Sequence, residues 1–360
     1  MDQTARWVDA VRTAAGRRTL VVSGTGTKAG LLPPARGEML STVEHTGVLT
    51  YEPAELVITA RTGTPLKDLQ LELARHNQEL AADPPQFNGQ GTVGGAVAAG
   101  LSGPARAWRG SLRDAVLGVS LINGRGEELS FGGQVMKNVA GYDVSRLMAG
   151  AWGSLALLTS VSLRVQPRAE RTATLVFEMD AQQGIEQCRS LARQPLPLTG
   201  SLWCDDVLYL RFSGTEAALR AVAQRLGGDA LDDTVIWQQA RDQQLAFFRE
   251  PEAEPLWRVS APPAAALPDF LNDAPCVEWG GALRWFRHGD AAAVISYAQA
   301  VGGWAWRPGD QQPLAPAALR VMQALAHAFD PEGVFASGLF QRPAIAPGAF
   351  EDVLEVAGEN

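Results

Sequence analysis

The sequence predicts an α+β fold. Short apolar segments of strand length alternate with amphipathic helical segments along the 360 residues. The turn Asn123-Gly124 separates two strand-like segments, residues 116–122 and 128–131, which indicates a β-hairpin. Beyond Pro167 the expected order is β-α-β-β-α-β, and a similar order returns further along the chain. A chain of this length is expected to form two or three structural units.

Apolar periodicity predicts the elements of the N-terminal half. Trp7, Val8, Val11 and Ala15 share one helical face, and Gly16 ends that helix. We expect a helix over residues 4–15, strands over 19–22 and 55–62, a helix opened by Thr64-Pro65 and running through residue 74, a short helix over 142–148, and a strand over 155–165.

The C-terminal half predicts a second unit, which we interpret as a duplicated α+β cap domain. We expect strands over residues 172–179, 201–204, 207–212, 234–237, 257–260, 276–279, 282–286 and 304–306, and helices up to residue 192 and over 215–226, 291–300 and 319–329. Seven of the ten tryptophans lie between residues 203 and 306. They indicate an aromatic core or subunit interface, with a stacking site for a substrate as the alternative.

Composition excludes several classes of function. A net charge of −8 argues against nucleic acid or an anionic membrane surface as a partner. The three cysteines are scattered and form no CxxC pair, so we expect no metal site, zinc ribbon or iron–sulfur cluster in this chain. No signal peptide and no run of 18 apolar residues is present, so we expect a cytoplasmic protein without a membrane span.

The candidate binding residues centre on a glycine-rich tract. Residues 91–103 contain five glycines among small side chains, a composition that lets main-chain N–H groups approach a ligand closely. Tight packing of a helix on a strand is the alternative explanation. Residues 23–28, Ser-Gly-Thr-Gly-Thr-Lys, follow a predicted strand and form either a cradle for a diphosphate or a plain turn.

Five blocks in this order resemble a known flavoprotein superfamily. They are residues 23–28, 91–103, 109–118, 137–143 and 150–159. Their order and spacing are similar to the FAD-binding domain of the vanillyl-alcohol oxidase/PCMH superfamily. With residues 255–260 and 278–285, the chain most resembles the family of FAD-binding E subunits of glycolate oxidase (glycolate dehydrogenase). That resemblance implies a two-lobed PCMH-type FAD-binding domain plus an α+β cap domain with an antiparallel sheet.

The resemblance also implies domain limits and a set of FAD contacts. The FAD domain would cover residues 1–167, with lobes at about 1–50 and 51–167, the cap 168–312, and a segment returning to the FAD domain 313–360. The implied contacts are Gly24, Thr25, Gly26, Thr27, Lys28, Pro84, Gly91, Thr92, Gly94, Gly95, Ala98, Gly100, Gly103, Gly110, Ser111, Asp114, Gly153, Leu155 and Leu158. Trp152 and Ala156 replace the usual Glu and Gly, and Ala336-Ser337 replaces the usual Asn-Pro.

FAD is expected to be bound non-covalently. Many relatives attach the flavin through a histidine in the first loop or a cysteine in the later glycine-rich stretch. Here no His or Cys occurs between His76 and Cys188, and residues 23–28 contain neither.

Catalytic residues are harder to assign than the cofactor contacts. Oxidising a 2-hydroxy acid needs a base for the hydroxyl proton and a cation for the carboxylate. Weak candidates are Tyr142, Lys137 and His288 for the base and Arg284 for the cation, with an interface salt bridge as the alternative role of Arg284. The histidine-rich motif of 2-hydroxy-acid-oxidising relatives survives only as His288-Gly289-Asp290, and Asp290 is as well explained as the N-cap of the next helix.

By resemblance, the chain would take part in oxidising glycolate to glyoxylate as one subunit of a complex, inactive alone. Its partners would be a catalytic FAD subunit and an iron–sulfur subunit, and any contact with the inner face of the membrane would come through them. Two alternatives are a self-sufficient FAD-dependent 2-hydroxy-acid dehydrogenase and a structural subunit with a vestigial flavin site.

Overall fold

The computed structural model describes residues 2–133, 143–232, 235–249, 254–271, 273–311 and 314–339. The helices of these residues are α1 Thr4–Ala14, α2 Leu66–Arg75, α3 Val93–Ala99, α4 Arg106–Arg109, α5 Leu112–Ala115, α6 Val144–Leu147, α7 Ala181–Leu191, α8 Glu216–Leu226, α9 Val235–Arg241, α10 Ala246–Arg249, α11 Ala291–Ala300 and α12 Pro316–Phe329. The strands are β1 Leu20–Ser23, β2 Glu38–Ser41, β3 Val48–Glu52, β4 Val57–Arg61, β5 Gln78–Leu80, β6 Val116–Ile122, β7 Glu128–Gly132, β8 Leu157–Pro167, β9 Arg171–Glu178, β10 Leu198–Cys204, β11 Val207–Gly214, β12 Asp229–Leu231, β13 Leu256–Ser260, β14 Cys276–Glu278, β15 Leu283–Arg287 and β16 Trp304–Trp306.

The N-terminal part contains two sheets. β1 and β2 pair in parallel, and the six-stranded sheet has the order β3-β4-β8-β6-β7 with β5 also paired to β8. All pairs of the larger sheet are antiparallel. Leu66, Leu69 and Leu73 recur at helical spacing on α2 and are buried in the core that this sheet shares with α3. The helix and the sheet therefore stabilise each other through one continuous apolar cluster.

The predicted hairpin is present, with a longer loop than its dipeptide signal indicated. β6 and β7 pair antiparallel from Ile122↔Glu128 onward, which leaves residues 123–127 in the connection. Asn123 Oδ1 accepts hydrogen bonds from the main-chain N–H groups of Arg125 and Glu127, both at 3.0 Å. Gly126 takes the left-handed conformation with φ 69°. The asparagine side chain thus closes a five-residue loop rather than a two-residue turn.

The C-terminal sheet has eight strands in a mirrored order. Its sequence across the sheet is β12-β9-β11-β10-β14-β15-β13-β16. Numbered within each half, the first four strands read 4-1-3-2 and the last four read 2-3-1-4, so two copies of one arrangement meet at β10 and β14. In the described residues between β13 and β14, no helix occupies the place that α7 takes between β9 and β10. The duplicated order expected from the sequence is therefore present, with one connection shortened.

One predicted strand is wrong. Residues 234–237 were expected to be a strand because Val235, Ile236 and Trp237 are β-branched or aromatic, but Val235 onward forms α9. Trp237 and Ala240 are both buried and lie three residues apart, so one helical face packs on the sheet. The fourth strand of that half is instead β12, which pairs with β9.

The C-terminal segment returns to the N-terminal part. Leu20 N donates to Val334 O at 2.7 Å, and Ala336 N donates to Leu20 O at 2.9 Å, which adds this segment beside β1. Asp330 is buried, and its carboxylate accepts hydrogen bonds from the N–H groups of Val334 and Phe335, each at 2.8 Å. These bonds fix the chain after α12 next to the strand that precedes residues 24–28. In the described residues, no helix has the length and apolar character needed to cross a bilayer.

Candidate functional site

A cavity of about 330 Å³ lies in the N-terminal part. Its walls include residues 21–29 from the end of β1 and the loop that follows it, residues 92–99 of the glycine-rich tract, residues 148–158, and residues 336–338 of the returning segment. Eleven of the predicted FAD contacts line it, namely Gly24, Thr25, Gly26, Thr27, Lys28, Thr92, Gly94, Gly95, Ala98, Gly153 and Leu158. Blocks that are far apart in sequence are thus brought to one cavity of a size typical of ligand sites.

The loop of residues 24–28 offers main-chain donors to this cavity. Within the described part of the chain, the five N–H groups of this loop make no hydrogen bond to protein. Gly26 has φ 73°, and a Cβ added there would meet no atom within 4 Å. Thr25 Oγ1 donates to Gln90 O at 2.7 Å and ties the loop to the glycine-rich tract. Because successive main-chain N–H groups without a protein partner can donate to an anion, this arrangement fits a ligand such as a diphosphate.

The glycine-rich tract both permits close packing of a helix and leaves space for a ligand, the two explanations considered from the sequence. Thr92 caps α3, with Gly95 N donating to its Oγ1 at 3.2 Å. A Cβ on Gly94 would lie 2.6 Å from Thr62 Cβ, so this glycine permits close packing of α3 on the segment after β4. A Cβ on Gly95 would meet only Thr92 Oγ1, at 3.0 Å, and Gly95 lines the cavity. One glycine is therefore required by packing, and its neighbour keeps the cavity open.

Lys28 places a buried cation at the cavity. The residue is 8% exposed, and its Nζ lies 5.2 Å from the centroid of the Phe87 ring. Burial lowers the pKa of Lys28 to about 8, and the negative charge of Asp242 opposes that change. Asp242 in turn accepts hydrogen bonds from the N–H groups of Gln86 at 2.7 Å and Phe87 at 3.3 Å. The Lys28 ammonium thus lies over the ring of Phe87, whose main chain is held by Asp242, the residue that follows α9.

Residues 148–158 of the lining contain two of the positions where this chain departs from the superfamily pattern. Trp152 and Ala156 both line the cavity beside Met148. Trp152 has φ 52°, an uncommon conformation for a bulky residue, and its N–H donates to Ala98 O at 2.9 Å. An indole and a methyl group therefore stand where a carboxylate and a glycine were expected.

Eight predicted contacts lie outside the lining of this cavity. Gly110 ends α4 with φ 88°, whereas Ser111 and Asp114 form the capping box of α5, in which Ser111 Oγ accepts from Asp114 N at 3.4 Å and Asp114 Oδ2 accepts from Ser111 N at 2.9 Å. Leu155 is in the core. Pro84 and Gly91 are buried in the connection between β5 and α3. Gly103 N donates to Asp83 O, and Gly100 ends α3 in the left-handed conformation.

The candidate catalytic residues are not gathered at this cavity. Lys137 and Tyr142 lie outside the described residues. Arg284 is fully buried, and its guanidinium donates to the carbonyls of Gly281, Ala265 and Ala266 and to the hydroxyl of Tyr297. All of these partners are uncharged oxygen acceptors, and Arg284 lines neither this cavity nor a second cavity of about 520 Å³ between α3 and the eight-stranded sheet.

His288 and Asp290 form a local turn. His288 Nδ1 lies 3.1 Å from Asp290 N, and the imidazole ring packs on Phe270 with centroids 4.5 Å apart. Asp290 Oδ1 accepts from the N–H groups of Ala292 and Ala293, so the expected N-cap of α11 is present. His288 lines neither the cavity beside residues 24–28 nor the second cavity.

Arg258 lines the second cavity but was not among the site residues expected from the sequence. Arg258 lies on β13, where it pairs with Trp285, while the neighbouring Val259 pairs with Arg284. Because successive residues of a strand point to opposite faces, Arg258 and Arg284 lie on opposite faces of the sheet. A charged residue in the otherwise apolar segment of residues 256–259 was the available signal.

Comparison with known proteins agrees with this geometry. A model of the FAD binding domain family matches residues 2–132. The chain is 41% identical over 324 residues to the glycolate oxidase subunit GlcE of Escherichia coli strain K12, which covers 89% of this chain and 91% of that protein. This chain belongs to the GlcE family. The resemblance inferred from the sequence is therefore confirmed, and FAD is the cofactor of this flavoprotein oxidoreductase family.

More distant relatives share the N-terminal half or the fold. A D-lactate dehydrogenase of Archaeoglobus fulgidus is 29% identical over 176 residues, which is 49% of this chain and 39% of that protein. A solved structure of alkyldihydroxyacetonephosphate synthase superposes with a TM-score of 0.68 at 14% identity, covering 92% of this chain and 73% of that one. The predicted fold class, a two-lobed PCMH-type FAD-binding domain with an α+β cap, is confirmed.

Proposed function

We propose that this chain is the FAD-binding subunit of a multi-subunit glycolate oxidase, which takes part in oxidising glycolate to glyoxylate. The observation that carries the proposal is the cavity beside residues 24–28, in a chain that aligns over nearly its whole length with the glycolate oxidase subunit GlcE. The reaction removes two electrons and two protons from the substrate, and electrons would pass onward to an iron–sulfur partner subunit. A catalytic FAD subunit would complete the complex.

The residues of this chain account for the holding of FAD. The N–H groups of residues 24–28 would donate hydrogen bonds to the diphosphate oxygens, and the Lys28 ammonium would add a positive charge. Gly95 leaves space that the ligand would occupy, and Trp152 and Leu158 add apolar wall to the cavity. When bound, FAD supplies two-electron oxidation chemistry. The described lining residues include neither His nor Cys, in keeping with non-covalent binding.

We further propose a division of labour along the chain. Residues 1–167 would bind FAD, residues 168–312 would form the cap, and residues 313–360 would return to the FAD domain, where Ser337 lines the cavity. Because His288 and Arg284 are engaged elsewhere in the protein, the chain alone is expected to lack activity with glycolate. Any attachment to a membrane would come through the partner subunits.

Purification of the chain alone tests the proposal against its two alternatives. A yellow protein without glycolate:dye oxidoreductase activity is the expected result. A yellow protein that turns over glycolate would favour a self-sufficient dehydrogenase. A colourless protein that takes up no added FAD would favour a structural subunit. Co-purification with partner subunits, followed by the same assay, should then restore activity.

A further inference from the structure

A second cavity of about 520 Å³ lies between the end of α3 and the eight-stranded sheet. Its lining includes Gly100, Ser102, Arg106 and Arg258 from the two sides. Ala99 and Trp152 line both this cavity and the one assigned to FAD, so the two volumes share a wall. The catalytic candidates taken from the sequence are absent from its described lining.

Two arginines give this cavity a positive charge. Arg258 is 8% exposed, and its guanidinium carbon lies 5.3 Å from the ring centroid of Trp279 and 5.6 Å from that of Trp304. The guanidinium carbon of Arg106 lies 4.7 Å from the same Trp279 ring. Among the described residues, neither arginine side chain donates a hydrogen bond or forms an ion pair within 4 Å. Both cations therefore have donors left for a ligand.

The acidic group that acts on Arg258, Glu278, compensates this charge only in part. Glu278 is buried behind the cavity and accepts a hydrogen bond from Trp285 Nε1 at 2.9 Å. Burial raises the pKa of Glu278 to about 7, so near neutral pH it is only partly ionised. Burial lowers the pKa of Arg258 to about 10, with Glu278 opposing and Arg106 adding to that effect, which leaves Arg258 cationic. A buried cation without an equal counter-charge is costly, and a bound anion would remove that cost.

A neutral donor completes the arrangement. Ser102 Oγ is buried, has no hydrogen-bond partner in the described structure, and belongs to the lining of the cavity. Buried hydroxyl groups are rarely left unpaired in proteins. The planar guanidinium group matches a carboxylate with two parallel hydrogen bonds, which a hydroxyl donor can supplement.

We propose that this second cavity binds a small carboxylate through Arg258 and Arg106, with Ser102 as a further donor. The identification of that carboxylate as the substrate acid rests on the proposed function, because the shared wall at Trp152 puts the site next to the flavin cavity. Binding of the anion itself does not require that function. The tryptophans around Arg258 hold the guanidinium in place by stacking.

The test uses the full chain, with flavin absorbance recorded first, and oxalate as a carboxylate probe that glycolate chemistry does not consume. Calorimetric titration in low-chloride buffer should detect oxalate binding to the unmodified protein. Arg106→Gln, at an exposed position, should raise the Kd by about tenfold or more, and Arg258→Met should abolish measurable binding. Arg258→Lys keeps the charge without the planar fork and should bind weakly. Arg220→Gln, an exposed arginine paired with Glu216 on α8, is the matched control and should bind as the unmodified protein does.

The outcomes separate this inference from the proposed function. No oxalate binding by a yellow unmodified protein, or undiminished binding by both Arg106→Gln and Arg258→Lys, would overturn the carboxylate site and leave the FAD role intact. A colourless protein that still binds oxalate through these arginines would support the site and remove the FAD role. Thermal melting of each variant identifies any loss of folding, and Arg106→Gln keeps the test decisive if Arg258→Met does not fold.

Discussion

Replacing Lys28 with methionine should stabilise the flavin-free protein and weaken its binding of FAD. The pKa of Lys28 falls from its usual 10.5 to about 8, chiefly because the ammonium is buried. Since one pKa unit corresponds to about 1.4 kcal/mol, burying the charged amine costs about 3 kcal/mol of folding free energy at neutral pH. Methionine has a similar length and no charge, so most of that cost should disappear. Loss of a charged donor to the diphosphate should raise the Kd for FAD by about 10- to 100-fold.

The pH dependence of stability follows from the same numbers. Between pH 8 and 10.5 the unfolded chain, with a lysine pKa of 10.5, binds more protons than the folded chain, with a pKa of about 8. The free energy of unfolding of the unmodified protein should therefore rise with pH across this window. The advantage of Lys28→Met should be full below pH 8 and vanish above pH 10.5. In the unmodified protein, FAD affinity should fall as the pH rises above about 8, because the flavin-free amine loses its proton there.

Urea unfolding of flavin-free protein and fluorescence titration with FAD measure the two quantities. Lys67→Met is the matched control, because Lys67 is exposed on α2 and does not line the cavity. It should change neither stability nor Kd by more than a small amount. A Lys28→Met protein that is no more stable than the control protein, and that binds FAD equally well, would refute both the buried charge and its role at the diphosphate.

The remaining predictions concern the cavity wall and two buried acids. Gly95→Leu should fill the FAD cavity and abolish flavin absorbance, whereas Gly214→Leu, where a Cβ meets only ordinary contacts at 3.8 and 3.9 Å, should stay yellow; equal flavin content would contradict the assignment. Asp242→Asn should lower stability by about 2–4 kcal/mol near pH 7 by urea unfolding. Burial would raise the pKa of Asp242, but hydrogen bonds, including one from Gln86 N, hold it lower overall. The loss should therefore shrink as the pH falls through the carboxyl's folded-state pKa, and a constant loss would argue against it. Burial raises the pKa of Glu278 from 4.5 to about 7, so the melting temperature should fall as pH rises across that interval, and Glu278→Gln should remove that slope; an unchanged slope would place its origin elsewhere.

Capping residues and glycines in the sequence predicted the bounds of the helices and strands that they begin or end. Helix α11 and strand β16 have the bounds expected from the sequence, because Asp290 supplies a cap and Gly302-Gly303 end the helix before the strand. The strand expected at Val235 was wrong because β propensity describes how well a side chain fits a half-buried sheet surface. The position beside β9 is taken by β12 instead. Segments bounded by a capping residue or a glycine were predicted with the right type and bounds. The segment at Val235, whose structure depends on the surface it packs against, was not.

The candidate site shows the same division. The loop of residues 24–28 and Gly95 could be predicted because spacing and small side chains identify them. The roles of Arg258 and Arg284 could not, because a single step along the strand register decides which face each occupies, and only the assembled sheet fixes that register. The second cavity is likewise invisible in sequence, since residues about 150 positions apart, such as Arg106 and Arg258, form it together.

The placement of Trp152 in the wall between the two cavities has a thermodynamic consequence. If a ligand on one side changes the orientation or mobility of this indole, it changes the binding free energy on the other side, and linkage requires the effect to be equal in both directions. The two sites would then be thermodynamically coupled. Bound flavin would change the affinity for the acid, and bound acid would change the affinity for the flavin by the same factor.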